Sequence, residues 1–270
     1  MDLTPLQLVI VAVAALAAGF VNAVAGGGTL ISFPALTFVQ IPTVAANITN
    51  TVALSPGYLG GTYAQRSDLA TQKHRVARLV PAGILGGLTG GVLLLRTSDA
   101  IFRQLVPYLI LLACALLAGQ DRIRAWVIAR EAKALANAGP SFADDDLPAS
   151  TRDNVGVVPM IVVFAASIYG GYFGAGLGII LLAVLGAVLD DDLVRINALK
   201  QCMAFTVNMT AAVFFLFSGK IVWSAAAVMA VGALIGGTIG GRTASKLNPN
   251  VLRGIVIIAG VLVSIYYFVK

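Results

Sequence analysis

Two small groups of polar side chains stand in stretches that are otherwise apolar. Asn47, Asn50 and Thr51 fall at i, i+3 and i+4, so they share one face of a helix. Asn197, Lys200 and Gln201 repeat that spacing 150 residues later, with a cation in place of one amide. Amide, hydroxyl and ammonium groups donate hydrogen bonds, which is what a tetrahedral or planar oxyanion requires. Upstream of each group lies a glycine-rich break, Gly26-Gly27-Gly28-Thr29 in one case and Gly174-Ala175-Gly176-Leu177-Gly178 in the other. The first N–H groups of a helix have no intrahelical acceptor and carry the positive end of its dipole. Glycine lets a ligand approach that backbone closely. Together these features describe an anion site, by the physics that lets helix N-termini bind phosphate. The candidate substrate-binding residues are Gly26, Gly27, Gly28, Thr29, Asn47, Asn50, Thr51, Gly176, Gly178, Asn197, Lys200 and Gln201. The competing reading is structural: glycines let helices approach, and amides or hydroxyls bond across helices.

The elements that would position these residues are themselves repeated. The 150-residue offset that relates the two polar groups also relates Gly26 to Gly176 and Gly28 to Gly178. It carries Gly86-Gly87 and Gly90-Gly91 onto Gly236-Gly237 and Gly240-Gly241, and Arg103 onto Arg253. The chain is an internal duplication. The small-xxx-small pairs Gly86/Gly90 and Gly236/Gly240 are expected to serve helix packing.

The chain has 270 residues, of which 59% are hydrophobic and 11% charged, and a mean hydropathy of +0.91. That composition excludes an ordinary soluble domain. Apolar runs of spanning length fall at about 6–25, 44–63, 77–95, 101–118, 156–173, 194–217, 221–240 and 251–269. Two shorter pieces, 28–40 and 178–189, follow the glycine breaks. The first run has no basic residue ahead of it, so it is expected to remain as a span and not to act as a cleaved leader. If the short pieces cross, the basic residues divide thirteen to four between the two sides, with Lys200 uncounted; if they re-enter, the bias weakens to eleven against six. The expected fold is an all-α polytopic membrane protein. It has two inverted repeats of about four full spans plus one short broken half-helix each. The repeats occupy 1–119 and 156–270, joined by a cytoplasmic linker at 120–155. Arg122 to Ala138 has helical composition and is expected along the surface, while Gly139-Pro140 and Asp144-Asp145-Asp146 read as a flexible tether.

Absences narrow the chemistry. None of the acidic residues falls within an expected span, so a relay or cation site of intramembrane carboxylates is not expected. No nucleophile, metal-ligand or acid–base cluster lies at membrane depth, so no enzyme, cofactor or metal is expected. Cys114 and Cys202 lie within spans and give no disulfide framework. The net charge of +6 follows from loop bias and does not call for nucleic acid. Asp190 to Asp192 with Arg195 are expected as a solvated turn at the membrane edge, Asn208 as a partner across the bundle, and His74 as a surface residue.

The segment Ala25-Gly26-Gly27-Gly28-Thr29-Leu30-Ile31-Ser32-Phe33-Pro34-Ala35-Leu36 resembles the sulfite exporter TauE/SafE family of membrane transporters. A weaker second copy runs from Gly174 to Leu185, and the stretch Gly232 to Gly241 is similar to the family's closing repeat. The second copy departs from the pattern at Ala175, Leu177 and Val184. The resemblance implies a secondary transporter, exporter or permease, of small sulfur-containing anions such as sulfite or organosulfonates, in the cell inner membrane. Alternating access between the repeats is the expected mechanism. An anion channel on the same duplicated scaffold is the alternative. Expected partners are the small anionic substrate and the lipid bilayer, with a homodimer left open.

Overall fold

Each glycine, proline or aspartate cluster between apolar runs ends one helix and starts the next. The computed structural model describes residues 3–138, 156–189, 191–243 and 248–269, and among these the chain is helical without strands. The first half contains α1 (Pro5–Val24), α2 (Thr29–Phe38), α3 (Thr43–Ala64), the short α4 (Arg66–Ala70), α5 (Lys73–Arg96) and α6 (Asp99–Ala138). The second contains α7 (Val157–Tyr172), α8 (Leu177–Val188), α9 (Leu193–Leu216), α10 (Trp223–Thr243) and α11 (Pro249–Val269). Residues 139–155, with the expected acidic tether, and Asp190 lie outside the described residues.

Among the described residues, six helices are long and apolar enough to cross a membrane: α1, α5, α6 over Asp99–Arg130, α9, α10 and α11. α3 has the length, with 22 residues, but Asn47, Thr49, Asn50 and Ser55 on its buried side lower its hydropathy. α7 has 16 residues, a rise of about 24 Å at 1.5 Å per residue. The expected surface helix from Arg122 is instead the continuation of α6. Its Val127 is buried against Gly186 of α8.

The helix starts are capped from different sources. Thr4 and Gln7 form a capping box on α1, and Asp192 accepts the Arg195 N–H of α9 at 2.7 Å. Pro42 offers no cap to α3. Asp99, the first residue of α6, supplies one instead, accepting Val44 N–H at 2.8 Å and Thr43 Oγ1 at 3.0 Å.

The packing exchanges the two halves. α1 lies along α10, and α7 lies along α5; replacing each first-half helix by its counterpart turns one contact into the other. The same exchange turns α3–α10 into α9–α5 and α2–α11 into α8–α6, while α3–α9 and α6–α11 map onto themselves. The duplicated glycines make the closest of these approaches. A Cβ on Gly86 or Gly90 of α5 would collide with the Phe164 or Ile168 carbonyl of α7. A Cβ on Gly236 or Gly240 of α10 would meet the Leu16 or Phe20 carbonyl of α1 in the same way. These glycines therefore serve helix packing, as their small-xxx-small spacing predicts.

At the breaks the repeat is offset by 148 residues, not 150. Gly26 and Gly174 have φ of 78° each, and both N–H groups bond five residues back, to Val21 O and Tyr169 O. Gly28 and Gly176 each precede the first helical residue. The structural partner of Gly28 is thus Gly176; Gly178 lies inside α8. The register returns to 150 at α3 and α9 because α8, with 12 residues, is two longer than α2, with 10.

Candidate functional site

The breaks between α1 and α2 and between α7 and α8 meet across one cavity of about 630 Å³. Each break is a helix that cannot continue. Gly26 and Gly27 take φ of 78° and 87°, and Gly174 and Gly176 take 78° and 76°, values that side chains with a Cβ rarely adopt. Tyr169 of α7 braces the second break, its hydroxyl donating to Ala175 O at 2.6 Å. Gly27, Gly28, Thr29, Gly176 and Gly178 line the cavity, and their N–H groups find no acceptor among the described residues. Two helix N-termini thus supply unpaired donors and positive dipole ends to one space.

Lys200, the eighth residue of α9, lines the same cavity. Among the described lining residues it alone carries a charge, and it forms no hydrogen bond or ion pair with any described residue. Gln201 lies beside it, with its amide over Gly61 of α3, where a Cβ would displace it. The arrangement offers a compact anion one ammonium, several backbone donors and amide side chains, with no carboxylate among the described lining residues.

The structure brings Gly26, Gly27, Gly28, Thr29, Gly176, Gly178, Lys200 and Gln201 to this cavity. Asn47, Asn50, Thr51 and Asn197 are not on its wall. Asn47 Nδ2 donates to Tyr172 O at 2.9 Å, and Thr51 Oγ1 donates to Asn47 O at 2.9 Å. Asn50 Oδ1 accepts the Ser32 hydroxyl at 2.5 Å, and Asn197 Nδ2 donates to Gln65 Oε1 at 3.1 Å. The three amides tie α3 and its C-terminal end to α2, to the end of α7 and to α9, the role that interhelical amides play in membranes, while Thr51 bonds within α3. The wall also holds Asn22, Tyr58, Gln65, Gln120 and Thr238, none of them selected from the sequence. Asn22 was detectable as an amide in the apolar run of α1. Gln120 was not, because it sits where α6 reaches the expected membrane edge.

The cavity reaches toward Gln65, at the C-terminal end of α3, and Gln120. Next to the breaks, at the end of α7 and on α2 and α6, four rings pack together. Phe33 of α2 meets Phe173 edge-on at 5.5 Å, and Phe102 of α6 meets Tyr172 at 5.6 Å. Phe33 and Phe102 are fully buried. Each edge-to-face pair adds roughly 0.5–1.5 kcal/mol beyond its area.

Outside the cavity wall, Asp191 is shared by two guanidinium groups. It pairs with Arg75 of α5 and accepts Arg195 Nε at 2.8 Å. Gln72, fully buried, donates to Arg195 O at 3.2 Å. Over Asp191 to Arg195 the expected solvated turn is therefore a partly buried junction between the halves. Asn208 also differs from expectation: its amide donates to Ala204 O of its own helix, and only its backbone carbonyl reaches across, to Ser55. His74 is exposed, as expected.

Comparison with known proteins places the whole chain. The family model described as sulfite exporter TauE/SafE matches residues 11–267. A probable membrane transporter protein of Haemophilus influenzae is 26% identical over 241 residues, covering 89% of this chain and 86% of that protein. The probable membrane transporter protein ORF9 of Sinorhizobium sp is 24% identical over 255 residues, covering 94% of this chain and 89% of that protein. The probable membrane transporter protein YfcA of Escherichia coli K12 is 24% identical over 271 residues, covering 97% and 89%. No solved structure matches the chain.

Proposed function

Because the chain belongs to the sulfite exporter TauE/SafE family and is a membrane transporter, we propose that it carries small sulfur-containing anions, sulfite or organosulfonates, across the cell inner membrane by alternating access. One observation carries this reading. The N-terminal backbone donors of α2 and α8 converge on a cavity whose lone charge among the described lining residues is the unpaired Lys200.

The mechanism follows from the exchange symmetry. The anion sits between the two breaks and leaves water for N–H donors that are already aimed and already unpaired. Lys200 offsets its charge, and the absence of a carboxylate among the described lining residues avoids repulsion. The aromatic group Phe33, Phe102, Tyr172 and Phe173 forms the closed gate, and the cavity mouth at Gln65 and Gln120 forms the open one. Rocking the α1–α10 pair against the α5–α7 pair would open the first and close the second. On this reading the repeats are inverted, α2 and α8 are half-helices completed by the glycine breaks, and the basic loop 64–78 and linker 120–155 face the cytoplasm.

The test is the thermal stability of purified protein against sulfite, sulfate, thiosulfate, sulfoacetate, taurine and chloride. A ligand that binds only the folded state raises the melting temperature with concentration. A shift with one sulfur oxyanion, absent in Lys200→Ala, is expected. A flat response across the panel in folded wild-type protein would remove this substrate class.

A further inference from the structure

A second hollow, of about 990 Å³, lies at the opposite end of the fold from Asp191, between α2, α6 and α11. We propose that it binds an anionic phospholipid, with the headgroup phosphate on Arg103 and an acyl chain along Phe38 and Leu262.

Charge is the first argument. Arg103 is exposed, lines the hollow and forms no hydrogen bond or ion pair among the described residues. The neighbouring carboxylate, Asp99, is already committed to Thr43 and Val44 at the start of α3. No described residue takes up the donors of the Arg103 guanidinium, although the charge of Asp99 lies in the same hollow, and a phosphate matches its two-pronged donor geometry.

Depth is the second. Arg103 is the fifth residue of α6, and Tyr266 and Tyr267 fall within the last four residues of α11. In a spanning chain these positions lie at headgroup level, where tyrosine and arginine anchor to lipid. Phe38 and Leu262 are 72% and 61% exposed and border the same hollow, so its walls are apolar and open toward hydrocarbon. At the other end of the molecule, the C-terminal part of α8 is covered by the chain itself, Gly186 lying under Val127. A second copy is the weaker occupant, because a two-fold contact here would bring one Arg103 toward another.

The experiment is native mass spectrometry of the full chain in detergent, titrated with phosphatidylglycerol and with phosphatidylcholine of the same acyl chains. Wild type is expected to retain the anionic lipid roughly fivefold more, the ratio that one basic residue near an anionic surface supplies. Arg103→Gln should bring the ratio to about one, and Arg103→Lys should preserve most of it. Leu262→Trp, which fills the hollow and leaves Arg103 in place, should reduce retention of both lipids. Equal retention of the two lipids by wild type, or an unchanged preference in Arg103→Gln, would overturn the proposal. So would a disulfide-linked dimer formed through Phe38→Cys, since a second copy would then occupy the hollow.

Discussion

Gly28 and Gly178 line the same cavity, yet a methyl group at each should act in opposite directions. At Gly178 the backbone is helical and a Cβ would meet nothing within 4 Å. Gly178→Ala should therefore stabilise the chain by roughly 0.5–1 kcal/mol through lost unfolded-state freedom. For a chain of this size that is a rise of about 1–4 °C in melting temperature. At Gly28 the added Cβ would collide with Ala18 O and lie 3.0 Å from Asn22 Cβ. Gly28→Ala must push α2 away from α1, which costs about 1–3 kcal/mol. Gly178→Leu then separates folding from function. Its side chain displaces about three waters, at ~30 Å³ each, from the 630 Å³ space beside the α8 N-terminus. Thermal melts combined with anion uptake by proteoliposomes read both quantities. Gly178→Leu should melt no lower than wild type and lose uptake. Normal uptake by that variant would show that the cavity is not the path, and a lowered melt in Gly178→Ala would show that the position is not open.

Other outcomes follow from the same contacts. Asp191→Asn leaves Arg75 and Arg195 facing each other without their shared carboxylate, and should cost about 3 kcal/mol, seen as a lowered melting temperature. Asp99→Ala removes the only side-chain cap of α3 among the described residues and should cost about 0.5–2 kcal/mol, with hydrogen exchange rising first at Val44 to Asn47. Gly90→Leu and Gly236→Leu should both fail to yield folded protein in detergent, because each drives a side chain into a backbone carbonyl of the paired helix.

Much of the fold was legible in the sequence because the solvent is lipid. Spanning runs must be apolar and helical, and the limits of α1, α3, α5, α7, α9, α10 and α11 fall within a few residues of those runs. The spacing of Gly86/Gly90 and Gly236/Gly240 pointed to helix packing, though not to which helix each pair meets. The local register of the second break was not legible, since Gly174, Gly176 and Gly178 all fit a glycine template and only backbone hydrogen bonds separate them. Periodicity placed Asn47, Asn50 and Thr51 on one helical face, but it carries no information on which neighbour that face meets. Asn50 meets α2, Asn47 meets the end of α7 and Thr51 bonds within α3, and none of them lines the cavity. The stretch from Arg122 to Arg130 is helical and mostly exposed, as its composition indicates, but the burial of Val127 on Gly186 is a long-range contact that local polarity hides.

The central claim is that an anion moves through the cavity between the two breaks by exchange of access. Counterflow in proteoliposomes loaded with unlabelled sulfite tests it most directly. The account predicts saturable uptake of labelled sulfite that is accelerated by sulfite inside, and that is lost in Lys200→Ala and Gly178→Leu while both variants remain folded. Uptake without saturation or acceleration would indicate a channel, and unchanged counterflow in both variants would contradict the site itself.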